Sequence, residues 1–258
     1  MTKLQEGGNA FKDADRQSLT RNIKQNEIAG TIAWLEKKTG LDFSNDKDEE
    51  GIPVKWTGST GRHSESGDLD ITADDKEISK EELIQKLYDS GFAKEHVKKV
   101  ADGVAVFTPI NGNPENGYCQ TDITVGEPEW LHFSRRGGEE GGYRGEVRQI
   151  LLASIAKQKG YQWSWKSGLV DRASGSATKD PNQIAKTILG QTADAKTLRS
   201  TESILDFIQK LPNYDALVAD ARETLSKQGV QLPESVDYFV SNKTGTPGWF
   251  RKMMNSIR

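Results

Sequence analysis

Asp68 and Asp70 stand two residues apart in the run Ser66-Gly67-Asp68-Leu69-Asp70-Ile71. On a β-strand that spacing puts both carboxylates on one face, with Leu69 and Ile71 on the other. Neighbouring carboxylates repel each other, and a divalent cation relieves the repulsion. Mg2+ takes one or two carboxylates and completes its shell with water and phosphate oxygens. The pair therefore predicts a metal platform with an apolar back. A polar turn is the competing reading, because Ser-Gly-Asp is also turn chemistry.

Gly58-Ser59 lies nine residues ahead of Asp68. A glycine lets backbone approach a phosphate closely, and successive amides with the Ser59 hydroxyl suit the outer phosphates of a nucleotide. Arg62, His63 and Ser64, in the loop between the two motifs, supply further donors. A third carboxylate is expected on a neighbouring strand, and Asp122 fits. In Tyr118–Val125 it shares a face with Tyr118, Gln120 and Thr124, whereas Cys119, Thr121, Ile123 and Val125 share the other. Glu127 and Glu129 flank Pro128 and read as loop residues, and Asp74 and Asp75 read as the turn after the strand. From the Gly-rich stretch SRRGGEEGG onward, the cations Arg135, Arg136, Arg144, Arg148, Lys157, Lys159 and Lys166 outnumber Glu139, Glu140 and Glu146. Arg144 and Arg148 are one helical turn apart, and arginine matches phosphate bidentately. That pair is expected to reach the triphosphate, with a solvated helix face as the alternative. Trp163 and Trp165 suit core packing better than base stacking. No Cys/His spacing suits zinc.

The elements that must position these residues are legible in outline. Apolar periodicity and a Gly40 cap predict a helix over 27–39. Val54–Thr57 reads as a short strand running into Gly58-Ser59. Ser79 and Glu82 form a capping box, with Ile78 and Leu83 at the staple positions, for a helix over 80–89. Val97–Val100 and Val104–Ile110 read as a hairpin around Asp102-Gly103, and Tyr118–Val125 as a further strand. After the Gly-rich stretch, helices are expected over 143–159, 181–189, 201–210 and 214–227, with Pro181 at a favoured first position. The fold class is α+β: a lead-in arm over 1–26, a mixed-sheet domain with helices over 27–134, and a mainly helical domain over 135–258. The expected site is the cleft between the two domains.

Of the 258 residues, 28% are charged and the formal net charge is −3, with a sequence pI near 5.8. A non-specific duplex binder carries a strong basic excess, so that class is disfavoured. The single cysteine, Cys119, forms no internal disulfide and fits a reducing compartment. The first residues lack the apolar core of a secretory signal, and no run nears the ~18 apolar residues of a membrane span. These features predict a cytoplasmic protein with no membrane partner.

Gly58-Ser59, the short loop after it, Ser66-Gly67-Asp68-Leu69-Asp70-Ile71 and the later Asp122 together resemble the DNA polymerase beta-like nucleotidyltransferase superfamily. The fold resemblance spans roughly residues 27–126. The opening GGNAFKD and the segment DPNQIAKTILG also resemble nucleotidyltransferases of tailed phages, which would place the protein in the cytoplasm of a bacterial host. The resemblance implies transfer of a nucleoside monophosphate from an NTP such as ATP to an acceptor hydroxyl, with release of pyrophosphate. It implies two Mg2+ ions, replaceable by Mn2+, on Asp68, Asp70 and Asp122. The DNA-binding helix-hairpin-helix repeats of the large polymerases are missing. The acceptor stays open between RNA or tRNA, a protein hydroxyl and a small molecule, with nucleic acid preferred. The rival is a catalytically retired form of the fold, acting as a nucleotide-binding or virion-associated protein.

Overall fold

The computed structural model describes residues 10–136 and 145–233. The chain divides into two compact units, Met1–Arg136 and Gly137–Arg258. The protein is of mixed α+β class, with seven α-helices among the described residues.

In the first unit, β1 (Ile23–Lys24) leads into α1 (Gln25–Thr39), which Gly40 ends in the left-handed region at φ 68°. β2 (Glu65–Ser66) pairs with β1, and β3 (Leu69–Asp74) follows. α2 (Lys80–Asp89) starts at the Ser79–Glu82 capping box, where the Ser79 amide donates to Glu82 Oε2 at 2.8 Å. β4 (Val97–Val100) and β5 (Gly103–Pro109) form the hairpin, turning at Ala101-Asp102. β6 (Tyr118–Gly126) then runs into α3 (Pro128–Arg135). The sheet order is β3-β6-β5-β4, with β3 parallel to β6 and the other pairs antiparallel. One face carries the core: Leu69, Ile71 and Ala73 of β3 meet Ile28, Ile32 and Leu35 of α1 and Leu83 and Leu87 of α2. The period-2 alternation of a strand therefore sends Asp70 to the other face.

Three expectations need correction here. Val54–Thr57 is a turn, not a strand; a single bridge joins Trp56 to Ile71, and the Thr57 amide donates to the Asp70 carbonyl at 3.0 Å. Glu129 belongs to a helix, and Glu127 is its extended N-cap: Pro128 occupies the first position of α3, where its missing N–H costs nothing. The lead-in is also held from Ala10 onward, with Phe11 buried against Phe107 at a ring separation of 5.3 Å.

The second unit begins with α4 (Gly145–Gln158), whose Leu151, Leu152 and Ile155 are fully buried. A small antiparallel sheet follows, β7 (Tyr161–Ser164), β8 (Gly168–Asp171) and β9 (Ala177–Thr178), then α5 (Pro181–Leu189), α6 (Thr201–Ile208) and α7 (Tyr214–Ser226). The sheet was not expected in a mainly helical region. No helix of the described residues is long and apolar enough to cross a membrane.

Candidate active site

The site begins with the parallel register of β3 and β6, which sets Asp70 directly opposite Asp122. Adjacent strands lie about 4.8 Å apart, so the two carboxylates are close neighbours on the face away from the core. Burial is the main reason that the Asp122 carboxyl is pushed up to about 6; the negative charge of Asp70 adds to it. Gln120 opposes both, its Nε2 donating to Asp122 Oδ1 at 2.9 Å and Oδ2 at 3.1 Å. The orientation of that amide is set from elsewhere: the Ala10 backbone N–H donates to Gln120 Oε1 at 2.9 Å. Because a backbone N–H only donates, Nε2 is left to face the carboxylate. Phe107 lies opposite Gln120 in the register of β5 and β6, and Phe11 packs on it. The lead-in segment thus contacts Gln120, the residue that bonds Asp122, and its neighbour Phe107.

α3 reaches the other carboxylate, Asp70. Arg135, in its last turn, donates Nη2 to Asp70 Oδ1 at 2.8 Å and Nη1 to Thr124 Oγ1 at 2.9 Å. Both ion-pair side chains are largely buried, so this contact is screened less than a surface pair. The sequence marked Arg135 as a phosphate donor; the structure gives it Asp70 as a partner.

The turn from Trp56 to Arg62 is latched to Asp70 from the side. The Asp70 amide donates to Thr60 Oγ1 at 2.8 Å, and that hydroxyl donates to the Asp70 carbonyl at 3.1 Å. Gly58 has φ 56°, and a Cβ there would lie 2.1 Å from Asp70 Oδ2. Only glycine fits against this carboxylate. Gly58→Ala is expected to cost about 1–2 kcal/mol from the left-handed backbone alone, and more because the Asp70 side chain must move. A thermal melt several degrees below wild type would show it; an unchanged melt would mean that the turn relaxes freely.

Ser59 sits in the same turn, half-buried, and its carbonyl accepts from Ser66 Oγ at 3.2 Å. Arg62 is half-buried and donates Nη1 to the Arg136 carbonyl at 2.9 Å. Asp68 is buried immediately ahead of β3. Among the described residues, no group of three or more His, Cys, Asp or Glu side chains is arranged to hold a metal ion. The intimate pair is Asp70 and Asp122, with Asp68 outside it. The donor set still fits one hard cation: two carboxylates on adjacent strands, one of them with its proton affinity raised by burial and by a like charge that a cation would relieve. A second ion has no ready cage among these residues.

Two phosphate-binding expectations fall in the second unit. Arg148 is corrected: it is fully buried, and its Nε donates to the Leu198 carbonyl at 2.6 Å, so it holds the α4 environment together and is closed to a nucleotide. Arg144 lies outside the described residues. Of the remaining basic candidates, Lys157 pairs with Asp220 at 2.8 Å. Trp163 is buried, its Nε1 donating to Gln149 Oε1 at 2.7 Å, as core packing requires.

Arg135, Thr60 and Gln120 are the residues that sequence reasoning missed as partners of the carboxylates. Gln120 had one visible signal, its place on the Asp122 face. No protein-family model matches this chain, and no curated protein matches it.

Proposed function

We propose that this protein is a metal-dependent nucleotidyltransferase, moving a nucleoside monophosphate from an NTP to an acceptor hydroxyl. The observation that carries the reading is the parallel register opposing Asp70 to Asp122, with Gly58 pressed against Asp70. Asp70 and Asp122, with Asp68 beside them in sequence, would hold Mg2+ or Mn2+. A bound cation supplies Lewis-acid neutralisation of the phosphate oxygens.

The chain's own groups do the rest. The amides around Gly58 and the Ser59 hydroxyl hold the outer phosphates, and Arg62 adds positive charge. The acceptor oxygen attacks the α-phosphorus in line; the bond from the α-phosphorus to the bridging oxygen breaks, and pyrophosphate leaves. Asp122 takes the proton of the acceptor hydroxyl, and a carboxyl near 6 suits a general base at neutral pH. The favoured acceptor class is the 3′ end of RNA or tRNA, ahead of a protein or small-molecule hydroxyl.

One observation favours a second reading, a retired fold that binds nucleotide without turnover. Arg135 already neutralises Asp70, so the carboxylates are tolerated without a metal. Incubation with each α-³²P-labelled NTP, Mg2+ or Mn2+, total RNA and a lysate separates the two. Label transfer is expected, prevented by EDTA, with a product that is sensitive to ribonuclease. Protease-sensitive label would name a protein acceptor. Metal-independent nucleotide binding with no transfer would establish the retired form.

A further inference from the structure

Gln120 is only 2% exposed, and both ends of its amide are committed. Nε2 donates to the two oxygens of Asp122, and Oε1 accepts the Ala10 amide. A buried amide is costly unless it is bonded. A methionine of similar length would fill the space without that requirement. The partner that satisfies Oε1 comes from outside the sheet, and it is held there by several contacts. The Ala10 carbonyl accepts from Lys98 Nζ, so this residue is clasped at both its backbone groups. Lys98 stands opposite Ala105 and Ala105 opposite Asp122, so Lys98, Ala105, Asp122 and Asp70 form one row across the sheet. Lys98 also lies over the Phe11 ring at 5.0 Å, and that ring is buried against Phe107. The far end of the segment is fixed as well. The Leu19 amide donates to the Phe11 carbonyl at 3.0 Å, which closes the segment on itself. The Arg21 amide then donates to the Tyr118 carbonyl at 2.9 Å. β6 thus carries Asp122 and two attachment points of the lead-in, Tyr118 and Gln120.

We infer that Gln120 is the positioning residue for Asp122 as a ligand of a divalent cation, and that the lead-in segment, anchored by Phe11, is what sets Gln120. The inference rests on the metal role given above to Asp70 and Asp122. Two donations to one carboxylate fix the plane of the group, and each of its oxygens keeps a lone pair for a cation. Ligating carboxylates are held in this way by hydrogen bonds of their own, and such partners matter to affinity nearly as much as the ligands do. Without the Ala10 amide, nothing in this arrangement makes Gln120 present its Nε2 rather than its Oε1 to Asp122. An oxygen turned that way would repel the carboxylate it now holds. The lead-in therefore belongs to the site although none of its side chains touches a carboxylate of the pair.

The test is a titration of the full chain with Mn2+ alone, without nucleotide, with free ion counted by electron paramagnetic resonance. Wild type is expected to bind, and Asp122→Asn to bind much more weakly, which assigns the counted ion to this site. Gln120→Met is expected to raise Kd by about 10–100-fold. Phe11→Ala leaves Gln120 and both carboxylates in place and is expected to raise it in the same direction, by at least about threefold. Phe92→Ala is the control for a merely structural loss. It removes a like ring, also under a lysine, from the core side of the same unit, and should bind Mn2+ as wild type does. Circular dichroism confirms that each variant is folded. Mn2+ bound equally by wild type and Gln120→Met overturns the inference while leaving the metal reading intact. An affinity unchanged in Phe11→Ala, or lowered as much in Phe92→Ala, overturns the part given to the lead-in. No Mn2+ bound by wild type removes the metal reading itself, and this inference with it.

Discussion

Asp70→Ala is expected to lower nucleotide transfer by about 1,000-fold and also to lower the stability of the fold. The first effect follows from the proposed role. Preorganised charge at a phosphoryl centre is worth several kcal/mol of barrier, and a single group of this kind contributes about 10²–10³ in rate. The second effect goes against electrostatic intuition. Two adjacent carboxylates repel, so deleting one should relieve the other and stabilise the protein. Arg135 reverses that sign. It reaches Asp70 at 2.8 Å from a largely buried position, and deletion leaves its guanidinium without that partner. Losing one partner of a sheltered charged pair costs more than the pair is worth in total. Relief at Asp122 offsets part of this, leaving a loss of about 1 kcal/mol. Urea denaturation in EDTA measures the second effect, and the labelled-NTP assay the first. Undiminished transfer removes Asp70 from the site, and a stabilised variant shows that the Arg135 pair contributes nothing.

That reversal marks where the sequence stops being legible. Local signals worked. The Ser79–Glu82 box and Asp180-Pro181 located the starts of α2 and α5, because a cap is settled within a few residues. The alternation of β3 and β6 put Leu69, Ile71 and Ile123 in the core and Asp70 and Asp122 on the opposite face. What failed was either long-range or shaped by context. Arg135 is 65 residues from Asp70 in sequence, and nothing local tells which carboxylate an arginine will meet. Arg148 looked like a surface cation, yet it lies on the buried side of α4 with Val147, Leu151, Leu152 and Ile155, and a backbone carbonyl from Leu198 makes its burial tolerable. Glu129 looked like loop because it follows Pro128, although proline is welcome at the first position of a helix. The strands β7 to β9 have two to four residues each, too short for a period to declare itself. The fold class was therefore visible, and so were two of the carboxylates that the register pairs. The cations and amides that set their charge were not.

Those neighbours give Asp122 its own measurable signature. Its carboxyl is pushed up to about 6 from an ordinary 3.8, through burial first and the charge of Asp70 second. The sign of the consequence follows from proton linkage. Between those two values the folded protein holds a proton that the unfolded chain releases, so stability falls as pH rises through the interval. Above about 6 the full penalty of an ionised, crowded carboxylate is present; below 3.8 it is absent. Asp122→Asn carries no such penalty, while its side-chain oxygen can still accept from Gln120. The variant should therefore gain on wild type by about 2 kcal/mol between pH 4.5 and pH 7.5 in EDTA, on the order of 1.4 kcal/mol for each unit of displacement. Groups that titrate alike in both proteins cancel in the difference. Added Mg2+ should narrow or invert that gap at pH 7.5, because a cation on the carboxylates stabilises only the protein that can bind it. A gap that does not change with pH would mean that Asp122 is ionised throughout, held down by Gln120 and Arg135. A pH-dependent gap that ignores Mg2+ would keep the electrostatics and remove the metal, leaving a buried carboxyl pair that Arg135 alone makes tolerable.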